Sequence, residues 1–331
     1  MKRRKAHSYA KYGYIFSIPF IVVFLIFTFY PTIYTALLGF TDSAGLGNIN
    51  FNFLTEDPLQ NYRAVLNNQS FRGALWNTIL IWILNFIPQI TLALLLTAWF
   101  TSRRTKIRGQ GFFKVVFYMP NIITAASVAI LFSALFGHPI GPINSLLQSI
   151  GYENAPYNFL NNQWASRLIV IFIQFWMWYG YTMIILIAGV LGISPELYEA
   201  AEIDGATSVQ QFFRITIPNL KMVLLFICVT SLIGGLNMFD IPRLFNWGGP
   251  NSATTTVSVF IFNWAFQNRY LYALASAASM IVFALIAVAV AVLFILLRDK
   301  DEVRERKERK RLEKHKKEMW KAEQNKEVKS A

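Results

Sequence analysis

Three carboxylates lie close together in the stretch EAAEIDGA, at Glu199, Glu202 and Asp204. The chain of 331 residues is 55% hydrophobic and only 15% charged, so a cluster of acids is unusual in it. Neighbouring carboxylates can act as a general acid and a general base, or they can offer charge to a basic partner. Acid–base chemistry requires a substrate pocket beside the carboxylates, so the position of this stretch in the fold decides between the two.

Polar and aromatic side chains also recur inside long apolar stretches, at spacings of three and four residues that place them on one helix face. Polar groups inside a membrane are costly and usually face a bundle interior or a water-filled path. The aromatic run at 174–181, QFWMWYGY, is as typical of the wall of such a path as it is of an interfacial aromatic belt combined with helix packing. The candidates for a solute pathway are Tyr181, Trp178, Gln174, Asn237, Asn85 and Gln89.

Six apolar stretches are long enough to cross a bilayer, because a span needs about 20 apolar residues. The last of them carries no charge from Leu271 to Leu297, whereas a soluble core helix would show a polar stripe. Prolines interrupt several stretches and can kink their helices, as we expect of Pro120 in the third. The predicted spans are 14–38, 74–98, 112–136, 168–191, 219–239 and 271–297.

Loop charges set the orientation, because Lys and Arg stay on the cytoplasmic side. The segments 1–11, 101–111, 192–221 and 298–331 together carry 25 Lys and Arg, and the opposite loops carry 3. We therefore predict an all-α, multi-pass protein of the bacterial plasma membrane, with six spans and both termini in the cytoplasm. Its parts are a basic N-terminus at 1–13, a transmembrane domain at 14–297 with a cytoplasmic loop at 192–218, and a charged, helical tail at 298–331.

The net charge of +13 is typical of nucleic-acid binders, but the positive residues occupy the loops that this topology requires. Anionic membrane lipid is therefore the expected counter-charge, and no nucleic-acid partner is expected. A single cysteine, Cys228, in an apolar span excludes a disulfide framework, and three scattered histidines without an HExxH motif give no metal site. No GxxxxGK[ST] phosphate loop is present, so we expect no cofactor and no ATP hydrolysis by this chain.

The 192–218 loop contains the signals of two short helices. Ser194 can cap the first, with Pro195 at its first position, and Gly205 can end it in a left-handed conformation. Pro218 then opens the fifth span. The second short helix can begin with a capping box at either of two adjacent positions, Thr207 with Gln210 or Ser208 with Gln211.

The spacing of this loop resembles the EAA loop of ABC importer permeases, written EAA-x3-G-x9-I-x-L-P. Glu199, Ala200, Ala201 and Gly205 match the motif, and Ile217 replaces its leucine with another apolar residue. In that family the loop forms a coupling helix that docks into a cleft of the ATPase subunit. By the match, these four residues are the expected docking residues, and the carboxylates become a mechanical contact rather than an acid–base pair.

The stretches SPELYEAAEIDGAT, FFRITIPNL and NWGGPNSATTT are similar to the carbohydrate-uptake branch of that family, with the larger maltose permease as its example. This resemblance covers all six spans and implies a second permease, an ATPase dimer that uses ATP and Mg, and an extracytoplasmic sugar-binding protein. Tyr181 matches a sugar-contacting tyrosine of that permease. The run from Gly234 to Met238 departs from its contact residues, so the resemblance does not define the sugar.

Two alternatives remain open. An importer for another solute, such as glycerol phosphate, would attract positive groups to its pocket, and no candidate face carries Lys or Arg. An ion-gradient transporter would show inverted repeats and buried ionisable relays, whereas no repeat is evident and Asp240 lies near a span end.

Overall fold

The computed structural model describes residues 10–46, 51–102, 107–267 and 270–297, together with 308–309, 311–313 and 318–319 of the tail. Within these residues the chain is helical, and an isolated bridge between Thr41 and Phe53 is the one element of β pairing that is found. The first half contains α1 (Ala10–Phe24), α2 (Tyr30–Leu38), α3 (Gln60–Asn67), α4 (Gln69–Phe100), α5 (Gln110–Ile122), α6 (Ala125–Leu135) and α7 (Pro142–Ser149). The second half contains α8 (Gln163–Leu191), α9 (Pro195–Ile203), α10 (Ser208–Gln211), α11 (Ile217–Asn219), α12 (Lys221–Leu236), α13 (Asp240–Asn246), α14 (Val257–Phe266) and α15 (Tyr272–Leu297).

In the part of the chain that the structure describes, five helical segments are long and apolar enough to cross a membrane, or six if one bent pair counts as a single span. They are Tyr12–Leu38, Gln69–Phe100, Gln163–Leu191, Lys221–Asn246 and Tyr272–Leu296, with α5 and α6 as the bent pair. The residues 1–9 and most of the charged tail, whose cytoplasmic positions the sequence predicts, lie outside the described residues.

The third apolar stretch, 112–136, bends further than the kink that the sequence predicts at Pro120, and the break lies after that proline. It forms α5 and α6, which are bent by 86° relative to each other. Ile123 and Thr124 between them are extended, and the Thr124 hydroxyl accepts a hydrogen bond from Ser127 N at 3.3 Å, which caps α6. Pro120 lacks a backbone N–H, so the turn before the break is already weakened. The polar residues Asn121, Thr124 and Ser127 therefore do not form the continuous helical face that their spacing of three predicts.

Two π-helical turns each precede a proline by two residues. Leu25–Phe29 joins α1 to α2 ahead of Pro31, and Phe212–Thr216 joins α10 to α11 ahead of Pro218. A proline ring clashes with the carbonyl four residues before it, and a wider turn relieves that clash without ending the helix. The chain thus passes through both prolines as a helix.

The core is a bundle built on the pair α4 and α8. One cluster around Ile81, Ile173 and Phe245 joins these helices to α6 and α13. A second around Met183 and Leu220 fills the end near the 192–218 loop. A third joins α3, α4, α14 and α15. The apolar side chains from Tyr12 to Tyr34 are exposed, as lipid contact requires, whereas Leu38 at the end of α2 is buried.

The end of the bundle opposite the 192–218 loop is tied together by Arg167 of α8. Its Nε donates to the Ala253 carbonyl at 2.9 Å, and its guanidinium also donates to Asn77 Oδ1 at 3.1 Å. Asn77 Nδ2 in turn donates to the Ser252 carbonyl at 2.8 Å. This network fixes the NWGGPNSATTT loop to α4 and α8, because Arg167 and Asn77 each donate to a carbonyl of the loop.

Candidate functional site

A cavity of about 420 Å³ lies between α4, α8, α12 and α13. The six side chains that the sequence analysis selected lie on α4, on α8 and at Asn237, which directly follows α12, and all of them line this one cavity. Helices α4 and α8 present them at intervals of three and four residues, so each helix contributes one face. The six are Asn85, Gln89, Gln174, Trp178, Tyr181 and Asn237.

The amides of α4 are held in fixed positions. Gln89 Nε2 donates to the Thr182 hydroxyl at 2.8 Å, which links α4 to α8 across the cavity wall. Asn85 Nδ2 donates to the carbonyl of Ile81 at 2.7 Å within its own helix. Both side chains are buried, so these bonds orient the amides before any solute arrives.

Aromatic rings form the other part of the wall. Trp178 and Tyr181 meet edge to face with their ring centroids 5.7 Å apart. Trp82 of α4 stacks on Phe86 with centroids 5.8 Å apart, and its Nε1 donates to the Ser231 hydroxyl at 3.1 Å. Flat apolar rings beside fixed amides suit a ligand that combines hydroxyl groups with C–H faces.

Asp240 is the one charged residue among the described residues that line the cavity. It opens α13 and is exposed, so its carboxylate lies at the helix end where the peptide dipole favours negative charge. An anionic solute would meet this carboxylate without a compensating cation. The cavity is therefore suited to a neutral solute.

The sequence selection missed several wall residues. Thr182, Thr230 and Ser231 line the cavity, and Thr182 also anchors Gln89. Thr182 lies four residues after Trp178, which is the signal that could have found it. Asn121 does not line the cavity, because its Nδ2 donates to the Met177 carbonyl at 3.2 Å and ties α5 to α8.

Gly234 and Gly235 are adjacent in α12, and both line the cavity. A Cβ on Gly235 would overlap the indole of Trp82 at Cδ1 and Cγ, whereas a Cβ on Gly234 would meet nothing within 4 Å. The overlapped atoms lie at the base of the ring, so the whole Trp82 side chain would have to move. Helix α12 thus approaches Trp82 of α4 closely at Gly235, whereas Gly234 lies in the cavity wall with open space beside it.

We expect Gly235→Ala to lower stability by about 1–3 kcal/mol, as overpacking does, and to reshape the cavity by displacing Trp82. Gly234→Ala is the matched control, since it adds the same methyl group to the same helix in open space. Thermal unfolding of the purified variants provides the measurement. Equal behaviour of the two variants would contradict the close approach.

The 192–218 loop folds as helix, glycine corner and helix. Gly205 has φ +75°, and the bonds Ala206 N to the Ala201 carbonyl (2.8 Å) and Gly205 N to the Glu202 carbonyl (3.1 Å) close α9 in a Schellman motif. The capping box of the second helix is the Thr207 and Gln210 pair. Ser194 occupies the cap position of α9, but its side chain makes no capping hydrogen bond, and Pro195 follows at the first helical position.

The surface of this loop is accessible. Glu199, Ala200 and Gly205 are exposed, and Ala201 is half-buried. The Tyr198 hydroxyl lies 2.9 Å from the Thr216 hydroxyl, which holds α9 against the segment leading into α12. Glu199, Glu202 and Asp204 do not line the central cavity, so they are not placed for acid–base chemistry there.

Comparison with known proteins identifies the family. Residues 62–300 match the family model described as "Binding-protein-dependent transport system inner membrane component". The chain is 34% identical over 260 residues to the lactose transport system permease protein LacF of Rhizobium radiobacter, covering 77% of this chain and 83% of LacF. It is also 34% identical to the arabinooligosaccharides transport system permease protein AraP of Bacillus subtilis, over 69% of each chain.

A solved structure shares the fold. It belongs to a bacterial ABC transporter involved in the import of the acidic polysaccharide alginate, with a TM-score of 0.72 at 24% identity. The match covers 86% of this chain and 94% of that one. From the family match and the identity to its relatives, this chain belongs to the binding-protein-dependent transport system inner membrane components.

Proposed function

We propose that this chain is the membrane-spanning permease subunit of an ATP-driven importer for a sugar or an oligosaccharide. The observation that carries the proposal is the cavity between α4, α8, α12 and α13, which presents fixed amides and aromatic rings and no cation among its described lining. A saccharide needs hydrogen-bond partners for its hydroxyls and flat apolar surfaces for its C–H faces. The names of relatives such as LacF and AraP support the same substrate class.

The proposed orientation has six spans, with the α5 and α6 pair as the third, and both termini in the cytoplasm. The loop charges support it, since Lys and Arg are concentrated in the segments that this orientation places inside. The 192–218 loop then faces the cytoplasm, and the part of the cavity wall formed by α13 lies toward the other side.

The proposed docking residues for the ATPase are Glu199, Ala200, Ala201 and Gly205. Glu199 is exposed at the surface of α9 and offers charge to a basic partner. The two alanines lack bulk, so another backbone can approach closely, and Gly205 turns the chain sharply beside them. ATP binding by the partner would move this loop as a lever and reorient the cavity by alternating access.

In this proposal, separate subunits bind and hydrolyse ATP. The sequence has no phosphate loop, so ATP and Mg belong to a partner ATPase dimer. A second related permease and an extracytoplasmic binding protein complete the proposed complex. The alginate importer whose fold is similar has also been solved with a periplasmic protein bound to an alginate pentasaccharide, which supports a binding-protein partner here.

Glycerol phosphate is the alternative solute that the sequence left open. A phosphate carries negative charge and would require a cation in the cavity, yet the charged group of the described lining is Asp240. The cavity therefore favours a neutral saccharide.

Reconstituting the complex with its binding protein and measuring ATP hydrolysis across a panel of saccharides tests the proposal. We expect at least one saccharide to stimulate hydrolysis, and Tyr181→Ala to weaken that stimulation about tenfold or more because a stacking surface is lost. Glycerol phosphate is the comparison solute. Stimulation by glycerol phosphate alone, or by no saccharide, would overturn the assignment.

A further inference from the structure

A second cavity, of about 620 Å³, lies at the other end of the bundle, between the ends of α4, α5 and α8 and the 192–218 loop. We call it the interfacial cavity. Its wall is largely apolar, with Leu95, Ile187 and Phe212 among the lining residues. Pro195 and Tyr198 of α9 also line it, so the cavity lies directly behind the helix proposed to dock on the ATPase.

Two donors stand out in this apolar setting. Lys114 is the one charged side chain among the described lining residues, and its Nζ lies 5.8 Å from the centroid of the Phe100 ring. Gln211 is only 8% exposed, and its side-chain Nε2 is buried with no hydrogen-bond partner among the described residues. Leaving a buried donor unpaired costs about 1–3 kcal/mol, so this amide calls for an acceptor that the described residues do not supply.

The charge around the cavity has one sign. Its described lining contains Lys114 and no carboxylate. In the sequence, the segment 101–111 between α4 and α5 carries four Lys and Arg and no acidic residue. Basic pockets between spans at the cytoplasmic surface attract the headgroups of anionic lipids, whose phosphate oxygens accept hydrogen bonds from ammonium and amide groups.

We propose that the interfacial cavity binds an anionic phospholipid, whose phosphate accepts hydrogen bonds from Lys114 and Gln211 and whose acyl chain covers the apolar wall. A bound lipid would also contact Pro195, Tyr198 and Phe212, which connect α9 to the rest of the bundle. The lipid would thereby stabilise the position of the 192–218 loop relative to α4, α5 and α8. This inference uses the proposed cytoplasmic position of the loop and does not depend on which solute the central cavity accepts.

Lipid binding can be measured on the full-length chain, purified with the subunits that accompany it. Dioleoylphosphatidylglycerol or dioleoylphosphatidylcholine is titrated into the detergent solution, and bound lipid is counted by native mass spectrometry. We expect preferential retention of phosphatidylglycerol. Lys114→Gln should weaken that retention about fivefold, since one Lys near an anionic lipid contributes about 1 kcal/mol.

Lys221→Gln is the matched control. Lys221 begins α12 near the same end of the bundle, is half-buried like Lys114, and does not line the interfacial cavity. An equal loss of phosphatidylglycerol retention in both variants would show that the effect comes from general surface charge, and it would contradict the proposed site. Equal retention of the two lipids by the unchanged chain would overturn it as well.

Gln211→Leu separates a ligand site from a simple packing defect. If the unpaired amide serves the lipid phosphate, the variant should retain less phosphatidylglycerol, again by about fivefold. If the amide is merely a defect, the variant should become more stable with unchanged lipid retention, which would contradict the proposal.

Inorganic phosphate, added at the concentration of the lipid, tests whether the site binds a free anion. If phosphate alone displaced the lipid, the site would be assigned to a free anion instead. None of these readouts involves a saccharide or ATP, so failure here leaves the transport proposal standing, and the reverse also holds.

Discussion

Reversing the charge of Glu199 is expected to abolish transport by separating this chain from its ATPase while leaving it inserted in the membrane. Glu199 is exposed on α9, and Ala200 beside it leaves room for a close partner. A lysine at this position would place like charges across the docking surface, and such a juxtaposition costs several kcal/mol. Co-purification of the ATPase with the Glu199→Lys variant, together with solute uptake in cells, measures the effect.

Glu153→Lys is the charge-matched control for that variant. Glu153 is exposed in the segment between α7 and α8, so its reversal changes the net charge by the same amount at a site remote from the 192–218 loop. Transport should continue in this control. If Glu199→Lys also retained the ATPase and normal uptake, the docking assignment would be wrong.

Gly205→Val should also cause loss of ATPase binding and of transport, in this case by straining the backbone of the loop. Gly205 has φ +75°, a left-handed conformation that costs a residue with a Cβ about 1–2 kcal/mol, and more if the residue is β-branched. Gly151 is a matched glycine, because it has φ +76° and because a Cβ added there, as at Gly205, would meet nothing within 4 Å. Gly151→Val should therefore show similar strain in thermal unfolding but retain the ATPase, and a shared loss of ATPase binding would point to global destabilisation instead.

Replacing Gly180 with alanine should disrupt the packing of α5 on α8 and prevent accumulation of the folded chain. A Cβ at this position would overlap the carbonyl oxygen of Phe117 and lie 2.9 Å from the Cα of Tyr118. Both are backbone atoms, so relief requires the two helices to separate. Overpacking costs about 1–3 kcal/mol where side chains can adjust, and we expect at least the upper end, about 3 kcal/mol, for this backbone contact.

Gly73→Ala is the control for the Gly180 variant. Gly73 lies inside α4, and a Cβ there would meet nothing within 4 Å. Because alanine is a better helix former than glycine by about 0.5–1 kcal/mol, this control should be neutral or stabilising. Fluorescence-detected size exclusion and thermal unfolding in detergent compare the two variants. A Gly180→Ala protein as stable as the control would show that α5 and α8 can separate at little cost.

Helix periodicity made it possible to select several of the residues that line the candidate cavity from the sequence. Gln174, Trp178 and Tyr181 share a face at spacings of four and three, and the same argument applies to Asn85 and Gln89. A polar face in an apolar span must turn away from lipid, so separate polar faces are expected to meet inside the bundle. The structure places all of these side chains around one cavity. Their role in solute binding remains a prediction.

Where a residue's environment depends on another segment, the same reasoning failed. Asn121 has the spacing of a pathway residue, yet it donates to Met177 on a neighbouring helix. The bend between α5 and α6 follows from the extended backbone at Ile123 and Thr124, and the sequence marks this region only through Pro120 and a threonine that caps easily. Local pattern alone therefore predicted a single span with a kink at Pro120 where two helices lie.

By itself, the sequence determined the helical class, the apolar stretches, the family motif and the corner at Gly205, because each depends on residues within one or two turns of one another. Only the tertiary structure decided that Gly235 lies against Trp82, that Gly180 lies against the backbone of α5, and that a second cavity forms behind α9 around Lys114 and Gln211. These features arise where helices distant in sequence approach each other. Such approaches are set by the packing of whole faces rather than by any local spacing.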